Sequence, residues 1–139
     1  MADPFNLQRF VDAQAEVYDR VRAELRAGAK RGHWIWFIFP QHSALGHSQT
    51  AKHFGIGSLD EARAYLAHPV LGPRLRECAR LVSAVRGRTI NAMFGSPDDL
   101  KVRSSMTLFA EATDDDADFT AVLDKYYGGE PDPRTLDLL

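Results

Sequence analysis

The chain has 139 residues, 45% of them hydrophobic and 26% charged, which excludes an intrinsically disordered chain and suits a single domain of the usual roughly 100 to 150 residues. Seventeen lysines and arginines against nineteen acids leave a net charge of −2, so no global field gathers nucleic acid or an anionic membrane. No basic-then-apolar leader is present and no apolar run approaches the roughly 18 residues of a membrane span; the expectation is a cytoplasmic protein with no membrane association.

Leu7, Phe10, Val11, Val17, Tyr18, Val21 and Leu25 recur at helical spacing, with Arg9, Asp12, Glu16, Asp19 and Arg22 mostly opposite. This predicts one amphipathic helix over Phe5 to Ala27, started by Asp3 before Pro4 and stopped by Gly28. Arg22, Arg26, Lys30 and Arg31 gather at its end, where cations complement the helix dipole. A phosphate-binding patch is the competing reading, and nucleic acid is left unsupported.

His33 to Phe39, HWIWFIF, is rich in aromatic and branched residues that favour strands, yet every neighbouring segment reads as helix. A lone strand would leave its backbone groups unpaired. The segment is therefore expected to be a buried helix, or a helical turn in a largely buried connection, ended by Pro40. The alternative is a small two-stranded element.

Ser58-Leu59-Asp60-Glu61 is a capping box that predicts a helix to about Ala67, stopped at His68-Pro69. Pro73 suits the first turn of the next helix, whose stripe of Leu75, Cys78, Leu81, Val82 and Val85 ends near Gly87. Thr89 to Phe94 reads as a short helix closed by Gly95. Ser96-Pro97-Asp98-Asp99 supplies a hydroxyl cap, a proline at the first helical position and acids facing the helix dipole. The helix it opens carries Val102, Met106 and Phe109 on one face. Asp114-Asp115-Asp116 is a solvated turn and cap. Phe119, Val122, Leu123 and Tyr126 mark a further helix ended by Gly128-Gly129, and Asp132-Pro133 opens a last short turn. The whole predicts an all-α fold, one compact domain over residues 1–139 with about six to seven helices around the buried aromatic segment.

The chain resembles a family of bacterial and fungal proteins grouped as domain of unknown function 1810 (DUF1810). The resemblance rests on His33 to Gln41, Leu45-Gly46-His47-Ser48, Ala64 to Leu75 and Phe94 to Phe109, and it spans nearly the whole sequence. It departs only slightly from the family pattern, as at Val102, where leucine is usual. The resemblance implies an all-helical fold and no established function. Members often bear the name calpastatin, an inhibitor disordered when free, whereas this composition is that of a compact domain.

Trp34 and Trp36 offer a large aromatic area beside the polar groups of His33, Gln41 and His42, a mixture that can stack a planar ligand and read its edge. The same segment also reads as plain core, with the indole nitrogens satisfied internally. Asp98, Asp99, Lys101, Arg103, Ser104, Ser105 and Thr107 form a second polar group, in which Lys101 shares a helical face with Ser104 and Ser105 and could hold a phosphate or carboxylate. The leading expectation is a domain that binds a small phosphorylated or nucleotide-like ligand through His33, Trp34, Trp36, Gln41, Asp99, Lys101, Ser104 and Ser105. Whether it is an enzyme stays open, with His33 or His42 as acid–base candidates. The rival expectation is a non-catalytic domain that contacts a protein partner.

His33, His42, His47 and His53 lack the spacing and the companion ligands of a metal site, so no metal is expected. Gly55-Ile56-Gly57 is too short for a dinucleotide fingerprint, and no cofactor is expected. Cys78, the single cysteine, lies on an apolar helical face and reads as a small core residue rather than a nucleophile.

Overall fold

The computed structural model describes residues 2–139. Among them the chain forms ten α-helices and no β-strand. The helices are α1 (Gln8–Gln14), α2 (Tyr18–Ala27), α3 (Ile35–Ile38), α4 (Gln49–His53), α5 (Leu59–Ala67), α6 (Leu71–Ala84), α7 (Ile90–Phe94), α8 (Asp98–Glu111), α9 (Ala117–Tyr126) and α10 (Pro133–Asp137), with one 3-10 turn at Ser43–Leu45. Six of the ten run to seven residues or more and the rest are single turns, so the all-α expectation is met with more, shorter pieces than the hydrophobic pattern suggested. No helix among the described residues is long and apolar enough to cross a membrane.

The expected first helix is two helices. Gln14 is buried, its amide donating to the Phe37 carbonyl at 2.8 Å and the Tyr65 hydroxyl at 3.2 Å. The chain turns just after it, because α1 packs on α3 while α2 packs on α6. The outer signals act as read: the Asp3 carboxylate accepts from the amides of Leu7 and Gln8 at 2.8 and 3.1 Å, and Gly28 closes α2 at φ +67°, a left-handed conformation natural to glycine.

The 3.6-residue stripes meet around α6 and α8, the two 14-residue helices. Helix α5 packs against both on one side and α9 against both on the other. The shared core contains Tyr65, Leu75, Cys78, Val82, Val102, Met106, Phe109 and Phe119, with the Phe109 ring 5.2 Å from Tyr65 and 6.1 Å from Phe119. At roughly 1.5 to 3 kcal/mol per buried large apolar side chain, this stripe matching is the main source of stability. Helices α5 and α6 approach closely at Gly72, where a Cβ would lie 2.1 Å from the Leu66 carbonyl oxygen.

Local signals were partly redirected by tertiary contacts. Ser58 caps α5 by accepting from the Glu61 amide at 3.1 Å, but the Glu61 carboxylate takes the Gly57 amide and Arg9 rather than the serine amide. At α8 the cap position falls on Pro97 and the first helical residue is Asp98, one later than the sequence suggested. The aromatic segment is a buried single turn, with Trp34, Ile35, Ile38 and Phe39 inside and Trp36 and Phe37 half-buried. What remains of a two-stranded element is an isolated parallel bridge between His42 and Ile56, beyond the aromatic run. The Ser43 amide donates to the Ile56 carbonyl and the Ile56 amide to the Gln41 carbonyl, both at 2.9 Å. This closes residues 43–55 into a loop.

Candidate functional site

Trp34 is a core residue. It is 2% exposed and meets Phe94 edge-on at 6.2 Å. Its indole nitrogen donates at 3.0 Å to Glu24 Oε1, the atom that also accepts from the amides of Arg31 and Gly32 at 2.7 and 2.9 Å. Burial alone would raise the Glu24 pKa, but these donors and the Lys30 charge outweigh it and hold the carboxyl below its ordinary value. The expectation that Trp34 stacks a ligand is therefore corrected, since its faces are used in packing. Trp36 keeps part of its surface and carries the Lys101 ammonium 5.4 Å from its ring centre.

The remaining candidates separate in space. His33 is exposed on the loop before α3, and His42 is buried with Nδ1 accepting from the Ala44 amide at 3.1 Å. Burial, opposed by the nearby Glu61 charge, lowers the His42 pKa, so this imidazole is a neutral cap of the 3-10 turn. Ser105 is fully buried with its hydroxyl unpaired in the core. It follows Lys101 by one helical turn, as Ser104 does, but only Ser104 lines the cleft that Lys101 faces. Asp99 accepts from Asn91 through its side chain and from the Tyr127 hydroxyl through its carbonyl.

Gln41, Lys101 and Ser104 do converge. They line a cleft of about 350 Å³ between the 41–47 segment, the first turns of α8 and the head of α10. Pro97, Leu100, Lys101 and Ser104 follow one another at i, i+3, i+4 and i+7, which puts them on one helical face. Leu45 and His47 come from the closed loop, and Asp132 and Arg134 from α10. Sequence reasoning assigned no ligand role to these four or to Leu100. The Asp132-Pro133 helix start was visible in the sequence, but nothing local brings Arg134 to the cleft, since Asp132 ties α10 to Ser104 of α8.

Cations outnumber acids in the lining of this cleft, with Glu130 3.8 Å from Arg103 and Asp98 3.6 Å from Lys101 just outside it. Lys101, Arg103 and Arg134 are cationic, and the one carboxylate lining it, Asp132, is engaged internally. Asp132 Oδ2 accepts from the hydroxyls of Ser104 at 2.8 Å and Thr135 at 2.7 Å, while its amide donates to Thr107 Oγ1 at 2.8 Å. Burial tends to raise the Asp132 pKa, but the Thr135 and Ser104 hydroxyls prevail and keep it ionised below its ordinary value. Arg103 donates to the carbonyls of Glu130 and Pro131 at 3.0 and 3.1 Å, which fastens the chain leading into α10. Lys101 has a loose partner in Asp98 at 3.6 Å. Arg134 enters none of the ion pairs found among the described residues.

Two other features lack this convergence. A hollow of about 470 Å³ beside Glu111, Asp114 and Asp116 gathers none of the expected ligand-binding residues. Cys78 is buried 3.8 Å from the Tyr18 hydroxyl, and burial pushes its thiol up to about 12, far from the thiolate that nucleophilic chemistry needs.

The chain matches the model of a family described as "Protein of unknown function (DUF1810)" over residues 4–139. It is similar to the crystal structure of the conserved hypothetical protein Rv1873 from Mycobacterium tuberculosis, at 63% sequence identity over 99% of this chain and 98% of that one, with a TM-score of 0.97. No curated protein matches it.

Proposed function

The chain belongs to the DUF1810 family, a family of unknown function, and from the chemistry of its cleft we propose that it binds a small phosphorylated or nucleotide-like ligand between the 41–47 segment, α8 and α10. The observation that carries the reading is the convergence of Lys101, Arg103 and Arg134 on one cleft whose single carboxylate is spent on Ser104 and Thr135. Arg134 supplies a planar fork suited to two phosphate oxygens, and Lys101 a compact point charge. Gln41 adds a neutral side-chain amide that can both donate and accept. The volume, about 350 Å³, falls in the range of small-molecule sites, roughly 300 to 1,000 Å³.

Calorimetric titration with inorganic phosphate and nucleoside monophosphates tests this reading. Lys101→Ala and Arg134→Ala are each expected to weaken binding about tenfold, as loss of a charge-assisted contact does, with the melting temperature nearly unchanged for the exposed Arg134. Absence of binding by every phosphorylated compound, or equal binding by the double variant, would overturn it.

A further inference from the structure

Leu100 is 58% exposed, the largest exposure among the large hydrophobic residues found exposed in the described chain. A single exposed leucine is ordinary on a protein surface. This one lies in the same cleft as the three cations, beside Pro97 one helical turn before it and with Leu45 from the closed loop lining the same space. The cleft therefore has two kinds of lining, one cationic and one apolar. A sugar phosphate would satisfy the first and leave the second facing polar hydroxyls.

Resting on the cleft reading above, we infer that the ligand is an organic phosphate whose other half is apolar or flat, seated against Leu45, Pro97 and Leu100 while its phosphate meets Lys101 and Arg134. Apolar burial strengthens binding about fourfold for each methylene removed from water, so the apolar lining separates such ligands from inorganic phosphate and from sugar phosphates.

The test is a calorimetric comparison of methyl, butyl and phenyl phosphate, which share one head group. Butyl and phenyl phosphate are expected to bind at least about tenfold more tightly than methyl phosphate, given that per-methylene gain. Leu100→Ser should remove most of the difference, weakening butyl and phenyl phosphate far more than methyl phosphate, with little change in the melting temperature because this side chain is already exposed. Three equal affinities in the wild type, or a difference that survives both Leu100→Ser and Leu45→Ser, would overturn the inference and leave anion binding intact. Binding of none of the three would remove both.

Discussion

The carboxylate of Asp98 holds the Lys101 ammonium at 3.6 Å from one oxygen while its other oxygen stands 2.9 Å from Lys30. Lys30 is nearly buried and lies 5.2 Å from the Trp34 ring centre. One acid thus joins the buried indole to the cleft, and it competes with an incoming anion for Lys101. Asp98→Asn is expected to tighten phosphate binding about two- to fivefold, the scale of a partly exposed ion pair. It should also lower the melting temperature, since Lys30 loses its close partner. Calorimetry on methyl phosphate checks the first effect; unchanged or weaker binding would show that Asp98 does not compete.

Glu24 serves three donors with one oxygen. Glu24→Ala leaves two amides and an indole nitrogen without that acceptor and is expected to cost about 2 to 4 kcal/mol. Trp34→Phe removes one donor and some packing and should cost less, about 1 to 2 kcal/mol. Urea unfolding measures both, and a Glu24→Ala protein as stable as the wild type would deny the acid its structural role.

Gly72 is where two backbones meet, and the Leu66 carbonyl leaves no room for a methyl group. Gly72→Ala should destabilise by more than about 2 kcal/mol through displacement of α5 from α6, despite the better helix propensity of alanine. Thermal unfolding checks it, and a neutral outcome would mean that the helices part without loss.

These sites also mark what the sequence could reveal. Ser58, Gly28, Gly95 and Pro133 act through bonds or dihedral angles a few residues away, so the helix ends they set were legible. Gln14 breaks the first amphipathic stretch through Phe37 and Tyr65, 23 and 51 residues distant, and no local pattern encodes that. Trp34 has the composition of a stacking surface, yet the acid that absorbs its nitrogen sits ten residues earlier on another helix. Gln41, Lys101 and Ser104 were legible as polar residues beside a buried element. Arg134 was not, because its approach depends on Asp132 joining α10 to Ser104 on α8.

Acid should destabilise the fold. The His42 pKa lies below its ordinary 6.5 in the folded chain, so below pH 6.5 the unfolded chain takes up this proton first and stability falls as pH drops toward the folded value. Glu24 and Asp132 have folded values below their ordinary 4.5 and 3.8. Their contributions are present above those values and disappear as pH falls through the folded ones. Melting temperatures from pH 8 to pH 3 should therefore decline in two stages. His42→Asn keeps an acceptor for the Ala44 amide and should flatten only the upper stage; a curve identical to the wild type would assign that stage elsewhere.

The paired amides and carbonyls joining Gln41 and Ser43 to Ile56 close the base of the loop between them, and its far end packs back on the core, where Phe54 meets Phe10 at 5.7 Å and Phe37 at 5.4 Å. Closing a loop depends only weakly on its length, about 0.6 kcal/mol for each doubling, so insertions at the exposed His47, ahead of α4, are tolerated as insertions within a helix are not. Leu45 and His47 ride on that segment, which makes it a place where the range of accepted ligands can be rebuilt by lengthening or recombination while the scaffold stays fixed.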